Sequence, residues 1–191
     1  MGHEDLKSVL ESLLFVADEP LTLHKLAEVC DGVSKKDIES VLATVKAELE
    51  EQRSGIRIVE VAGGFQMRTA KENAEWVKKL LGGRPARMSR ATLETLAIVA
   101  YRQPITKAEI EAIRGVDVDG VVNTLLERNL IRAVARKDVP GRPFLYGTTP
   151  LFLQIFNLKD LTHLPALKEL EALHVASSTP EEAGAKPVNE C

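Results

Sequence analysis

Two stretches of helical hydrophobic spacing each end at a proline, and each proline opens the same short signature: Pro20-Leu21-Thr22, then Pro104-Ile105-Thr106. In both places the threonine can cap a short helix, a longer helix follows, and the apolar spacing then drops toward two. Two blocks of about 80 residues with the same element order form an internal structural repeat, and that order leaves few folds open. A short helix, a tight turn and a longer helix make a helix-turn-helix, and the hairpin after it makes a wing. The reading is mainly α with small β-hairpins: two tandem winged-helix domains, followed by a C-terminal tail.

Leu6, Val9, Leu10, Leu13 and Leu14 fall on one face of an opening helix that Pro20 stops. Thr22 caps Leu23 to Cys30, and Gly32 breaks it. Ser34 caps a third helix with an inward face of Ile38, Val41, Leu42, Val45 and Leu49. Ile56 to Val61 and Phe65 to Thr69 read as strands about a Gly63-Gly64 turn, and Lys71 to Leu81 as a helix carrying Trp76, Val77, Leu80 and Leu81. Gly82-Gly83-Arg84-Pro85 is a break of the kind that separates domains. Beyond it, Ser89 caps a helix whose apolar positions are Leu93, Leu96, Ala97, Val99 and Ala100. Thr106 with Glu109 forms a capping box for Lys107 to Ile113, and Gly115 ends that helix. Asp117 opens the next, with Val121, Val122, Leu125 and Leu126 inward. Ile131 to Arg136 and Phe144 to Thr149 flank a Pro140-Gly141-Arg142-Pro143 turn, and Leu151 to Phe156 is a short, very apolar helix. The expected domains are 1–83, 84–165 and a tail, 166–191. The Ser, Thr, Pro, Glu and Gly of that tail bury too little apolar surface to fold, so it is expected to be disordered.

Aromatic residues make up only 4% of the 191-residue chain, which argues against recognition of RNA by base stacking. The net charge of -3 is unevenly spread. Residues 1–83 hold 11 basic and 15 acidic side chains, and residues 84–165 hold 12 basic and 8 acidic, the basic ones mostly Arg. An Arg-rich block suits both protein interfaces and phosphate. Cys30 and Cys191 are too few for a disulfide scaffold and too far apart for a zinc site. The first residues lack a basic region followed by an apolar one, and no apolar run is long enough for a bilayer. A cytoplasmic protein is expected.

Catalytic signatures are missing: there is no GxSxG, Walker A, HExxH or GxGxxG. His3, His24, His163 and His174 pair with no nucleophile pattern, and Gly63-Gly64 is better explained as a hairpin turn than as a phosphate loop. The acidic pairs Glu50-Glu51, Glu109/Glu111 and Asp117/Asp119 suit solvated helix faces and helix starts. No enzyme, cofactor or metal is expected. DNA is the harder alternative, because a winged-helix transcriptional regulator would use the same fold. Its third helix must meet phosphates in the major groove. Here the first such helix sets Lys35, Lys36 and Lys46 against Asp37, Glu39, Glu48, Glu50 and Glu51. The second opens on Asp117 and Asp119, with Arg128 only near its end. Arg136, Lys137 and Arg142 of the second wing could touch phosphate, but neither helix is equipped for the groove. Polypeptide is therefore the expected ligand, and sequence-specific DNA binding is not.

From Ser89 onward the chain carries ETLAIVAYRQPIT at Glu94 to Thr106, then Glu109-Ile110 and Ile113-Arg114-Gly115-Val116. It continues with Pro140-Gly141-Arg142-Pro143, Leu145-Tyr146-Gly147-Thr148-Thr149, and Phe152-Leu153 before Phe156. Leu14-Phe15-Val16-Ala17 and Glu19-Pro20-Leu21 agree more loosely. This pattern resembles segregation and condensation protein B, the accessory subunit of bacterial condensin, over roughly Leu6 to Leu164. Ala135, Asn157 and His163 depart from it, and Asn157 still tolerates a left-handed turn. The resemblance implies a homodimer formed chiefly through the first domain. It also implies binding of the kleisin ScpA, an indirect link to the SMC ATPase, and action at the nucleoid in chromosome condensation and partitioning. The candidate partner contacts are Tyr101, Arg102, Arg114, Arg142 and Tyr146, because Arg and Tyr are enriched at interfaces. The alternatives are core packing for the tyrosines and bracing of the turn for Arg142.

Overall fold

The computed structural model describes residues 2–82 and 88–166. Gly83, Arg84 and Pro85 of the expected break, and 167–191 of the expected tail, lie outside the described residues. The chain runs through α1 (His3–Val16), α2 (Leu23–Val29), α3 (Lys35–Glu51), β1 (Ile56–Val61) and β2 (Gly64–Thr69). A single 3-10 turn, Lys71–Asn73, leads into α4 (Ala74–Leu81). Then come α5 (Arg90–Arg102), β3 (Ile105–Thr106), α6 (Lys107–Arg114), α7 (Asp119–Glu127), β4 (Ile131–Arg136), β5 (Phe144–Thr148) and α8 (Pro150–Ile155). The fold is mostly helical with two small antiparallel sheets, β1-β2 and β3-β5-β4. The described residues up to Leu161 fall in one compact unit.

Local chemistry starts the helices where the sequence places caps. The hydroxyls of Thr22, Ser34, Ser89 and Thr106 accept from the amides of Lys25, Asp37, Thr92 and Glu109. Each accounts for a helix-start donor that has no partner within the helix. In the first half, Leu6, Leu10 and Leu14 of α1 meet Leu26 and Cys30, the α3 stripe Ile38, Val41, Leu42 and Val45, and Ile58 from β1. Burial also pushes the Cys30 thiol pKa up, as for a small core residue. In the second half, Leu96, Val99, Ile110, Val122, Leu125 and Phe152 are fully buried or nearly so.

Four local expectations change. The first hairpin turns at Ala62-Gly63, with φ of 50° and 73°, rather than at Gly63-Gly64. Gly64 already belongs to β2, opposite Val61. Its lack of a side chain serves a close approach, since a Cβ there would lie 2.8 Å from the Leu21 backbone carbon. Leu21 comes that close because it exchanges backbone hydrogen bonds with Phe65, at 2.8 and 2.9 Å. Ile105 does the same kind of thing in the second half, pairing with Tyr146 as strand β3. The residue between proline and threonine therefore joins the hairpin in both repeats. Third, α5 buries Thr92 and Thr95 with Leu96, Val99 and Ala100, while Leu93 and Ala97 face outward. Fourth, α7 begins at Asp119, and Asp117 accepts from the Asp119 amide ahead of it.

Candidate protein-binding surface

Helices α3 and α7 are the ones a DNA reader would present. The exposed cations of α3 are Lys35, Lys36 and Lys46, against exposed Asp37, Glu39, Glu50 and Glu51. On α7 the exposed positions are Asp119, Gly120, Asn123 and Glu127, without a single Lys or Arg along the helix. Asp119 is itself engaged by Lys107, whose pKa rises because Asp119 hydrogen-bonds to it. A helix with no cation releases no counterions from phosphate.

The second hairpin uses several of its cations internally. Lys137 pairs with Glu109 at 2.6 Å. Arg136 lies 4.1 Å from the centroid of the Phe144 ring and donates to the Arg142 carbonyl at 3.2 Å. Glu109 also accepts from the Thr106 amide and hydroxyl, at 2.8 and 2.7 Å. The Lys137 ammonium, followed by the Thr106 amide and hydroxyl, holds the Glu109 carboxyl at a pKa of about 2. One carboxylate thus caps α6 and ties the second hairpin to it. The capping box is legible in the sequence, but the partner at Lys137 carries no local signal.

The five candidate residues do not form one cluster. Tyr101 and Arg102 end α5, just before Ile105, and Ile105 pairs with Tyr146 in the sheet. Those three share one end of the second half. Arg142 sits in the hairpin turn, exposed, with φ of 38°. Arg114 is different: its side chain is only 15% exposed and pairs with Glu94 at 2.6 Å. It also donates to the Ala91 carbonyl at 3.3 Å, bracing α6 against the start of α5. Glu94 precedes Tyr101 by about two helical turns, roughly 10 Å. Gln103, which sequence reasoning missed, fixes the Tyr101 end. Its side-chain carbonyl accepts from the Thr148 amide at 2.7 Å, and its amide group donates to the Ala100 carbonyl at 3.1 Å.

The first half exposes apolar surface that its own core does not use. Trp76, Leu80 and Leu81 of α4 are 70%, 86% and 75% exposed. Phe15 is 83% exposed and borders an open groove of 410 Å³ with Leu49, Ile56 and Met67. Contiguous exposed apolar surface marks interaction sites. Among the described residues, no group of three or more His, Cys, Asp or Glu could hold a metal ion, and no helix is long and apolar enough to cross a membrane.

The model of the family described as "Segregation and condensation complex subunit ScpB" matches residues 8–167. This chain belongs to the ScpB family. Segregation and condensation protein B of Syntrophotalea carbinolica is 48% identical to this ScpB family member over 173 residues, covering 91% of this chain and 87% of the relative. The protein of the same name from Moorella thermoacetica is 49% identical over 169 residues, 88% of this chain and 86% of that one. Among solved structures, ScpB from Mycobacterium tuberculosis is 40% identical and covers 82% of this chain and 97% of its own, with a TM-score of 0.41. The ScpB match spans both repeats, including the α5 segment, the second hairpin and α8.

Proposed function

We propose that this chain is the non-catalytic ScpB subunit of a bacterial SMC–kleisin condensin. In this reading it consists of two winged-helix domains, 1–83 and 84–165. It self-associates through the first and binds the kleisin ScpA chiefly through the second, and so reaches the SMC ATPase indirectly. It acts in the cytoplasm, at the nucleoid, in chromosome condensation and segregation. Family membership supports the assembly. The observation that carries polypeptide over duplex as the ligand is α7, which presents Asp119, Asn123 and Glu127 and no cation where a groove reader needs several.

The repeated hairpin pairing of Leu21 and Ile105 supports the tandem winged-helix reading. Tyr101, Arg102 and Tyr146 offer one kleisin-facing end, Arg142 extends it along the wing, and Arg114 acts by holding α6 in place. Few interface residues carry most of the energy, so single changes at the anchors suffice as a test. Co-purification of the full chain with a ScpA fragment is expected, with retention reduced at least tenfold by Arg102→Glu combined with Arg142→Glu. Unchanged retention in that double variant would remove the second domain from the kleisin interface. Failure of the unmodified chain to retain ScpA at all would overturn the assignment.

A further inference from the structure

A two-residue hairpin turn normally leaves its two central amides facing water. At the β1–β2 turn they do not. Ala62 N–H donates to the Leu158 carbonyl and Gly63 N–H to the Lys159 carbonyl, both at 2.9 Å. Beside them Arg68, on β2, donates from Nη2 to the Gln154 carbonyl at 3.0 Å and from Nη1 to Asn157 Oδ1 at 3.1 Å. Lys159 Nζ pairs with Glu60 Oε1 at 2.7 Å. Asn157, with φ of 55°, makes the left-handed turn that brings Leu158 and Lys159 alongside the hairpin. Arg68 therefore serves the carbonyl end of α8 from another part of the chain. Burial lowers its pKa from the usual arginine value, and no carboxylate pairs with it among the described residues.

The contacts that join the two segments here are hydrogen bonds and an ion pair. Gly63, Asn157 and Lys159 are exposed, while Ala62, Arg68, Gln154 and Leu158 are half-buried. Hydrogen bonds that water can replace contribute little net, and an exposed ion pair is weakened by salt. Closed and open arrangements then lie close in free energy. We infer that the β1–β2 hairpin and residues 154–159 form an openable latch, which holds the first repeat to the end of the second and is set by ionic strength and by the Glu60–Lys159 charge pair. A partner that takes the hairpin tip or the end of α8 must compete with it.

Amide hydrogen exchange of the full chain, resolved to single residues, tests this. In low salt the Ala62 and Gly63 amides are expected to exchange at least tenfold more slowly than open-turn amides. Arg68→Ala or Lys159→Glu should each speed those two amides roughly tenfold while leaving Val59, whose amide faces Gln66 in the strand ladder, protected. Exchanging the charges, Glu60→Lys with Lys159→Glu, should restore part of the protection, because Asp160 and Glu39 also act on position 159. Fast exchange at Ala62 and Gly63 in the unmodified chain would overturn the latch. So would protection that grows with protein concentration, since the contact would then lie between copies. Variants that deprotect Val59 as well would count against it, because the effect would be loss of the hairpin rather than opening.

Discussion

Gly64 shows how one missing side chain ties two segments together. The Leu21 carbonyl carbon and oxygen would lie 2.8 and 2.9 Å from a Cβ at that position, and both belong to backbone that cannot swing aside. Gly64→Ala is therefore expected to destabilise the chain by about 1–3 kcal/mol, the range for overpacking. Thermal unfolding against the unmodified protein measures it, and an unchanged midpoint would mean that Leu21 does not sit on the hairpin. Glu109 offers a residue-scale test by pH. Its folded pKa lies below the ordinary glutamate value, so its contribution is fully present above about pH 4.5 and is lost as pH falls toward 2. Carboxyl NMR titration should place Glu109 near 2, and Lys137→Met should move it upward. An ordinary midpoint in the unmodified chain would mean that the second hairpin is not tied to α6.

At the scale of elements, α4 leaves Trp76, Leu80 and Leu81 largely exposed, with the Lys79 ammonium 4.8 Å from the Trp76 ring centroid. Trp76, Leu80 and Leu81 contribute little to the fold while exposed. Trp76→Ser with Leu80→Ser should change the stability of the isolated subunit by less than about 1 kcal/mol. If α4 lies in the self-association interface, the same change should shift light-scattering mass toward the monomer at micromolar concentration. A variant that stays fully associated would move the interface elsewhere. The helices were legible because caps and apolar spacing are local: Thr22, Ser34, Ser89 and Thr106 each accept from the amide three residues on. The inward face of α5 was harder to read. Thr92 and Thr95 occupy buried positions while Leu93 is turned out, so hydrophobicity alone selects the wrong stripe. Strand β3 was hidden for a related reason, since two residues make no period, and it exists only because β5 lies beside it. Of the candidate surface, residue type pointed to Tyr101, Arg102, Arg114, Arg142 and Tyr146. The tie between Arg114 and Glu94 depends on tertiary packing and has no sequence signal.

For the molecule as a whole, the repeated order of helices and hairpin matters less to ligand choice than the charge it displays. The first half offers an acidic α3 and exposed apolar groups, and the second offers an α7 without cations. Cations that could meet phosphate, such as Arg136 and Lys137, are partly occupied by Phe144, the Arg142 carbonyl and Glu109. Such a surface favours a polypeptide ligand and disfavours a duplex groove. Parallel titrations of the full chain with a labelled ScpA fragment and with a labelled mixed-sequence duplex, at low and physiological salt, put this most directly. Saturable binding of the fragment that survives physiological salt is expected, with the duplex bound weakly and released as salt rises. Tight duplex binding that persists at physiological salt, with no measurable affinity for the fragment, would contradict it.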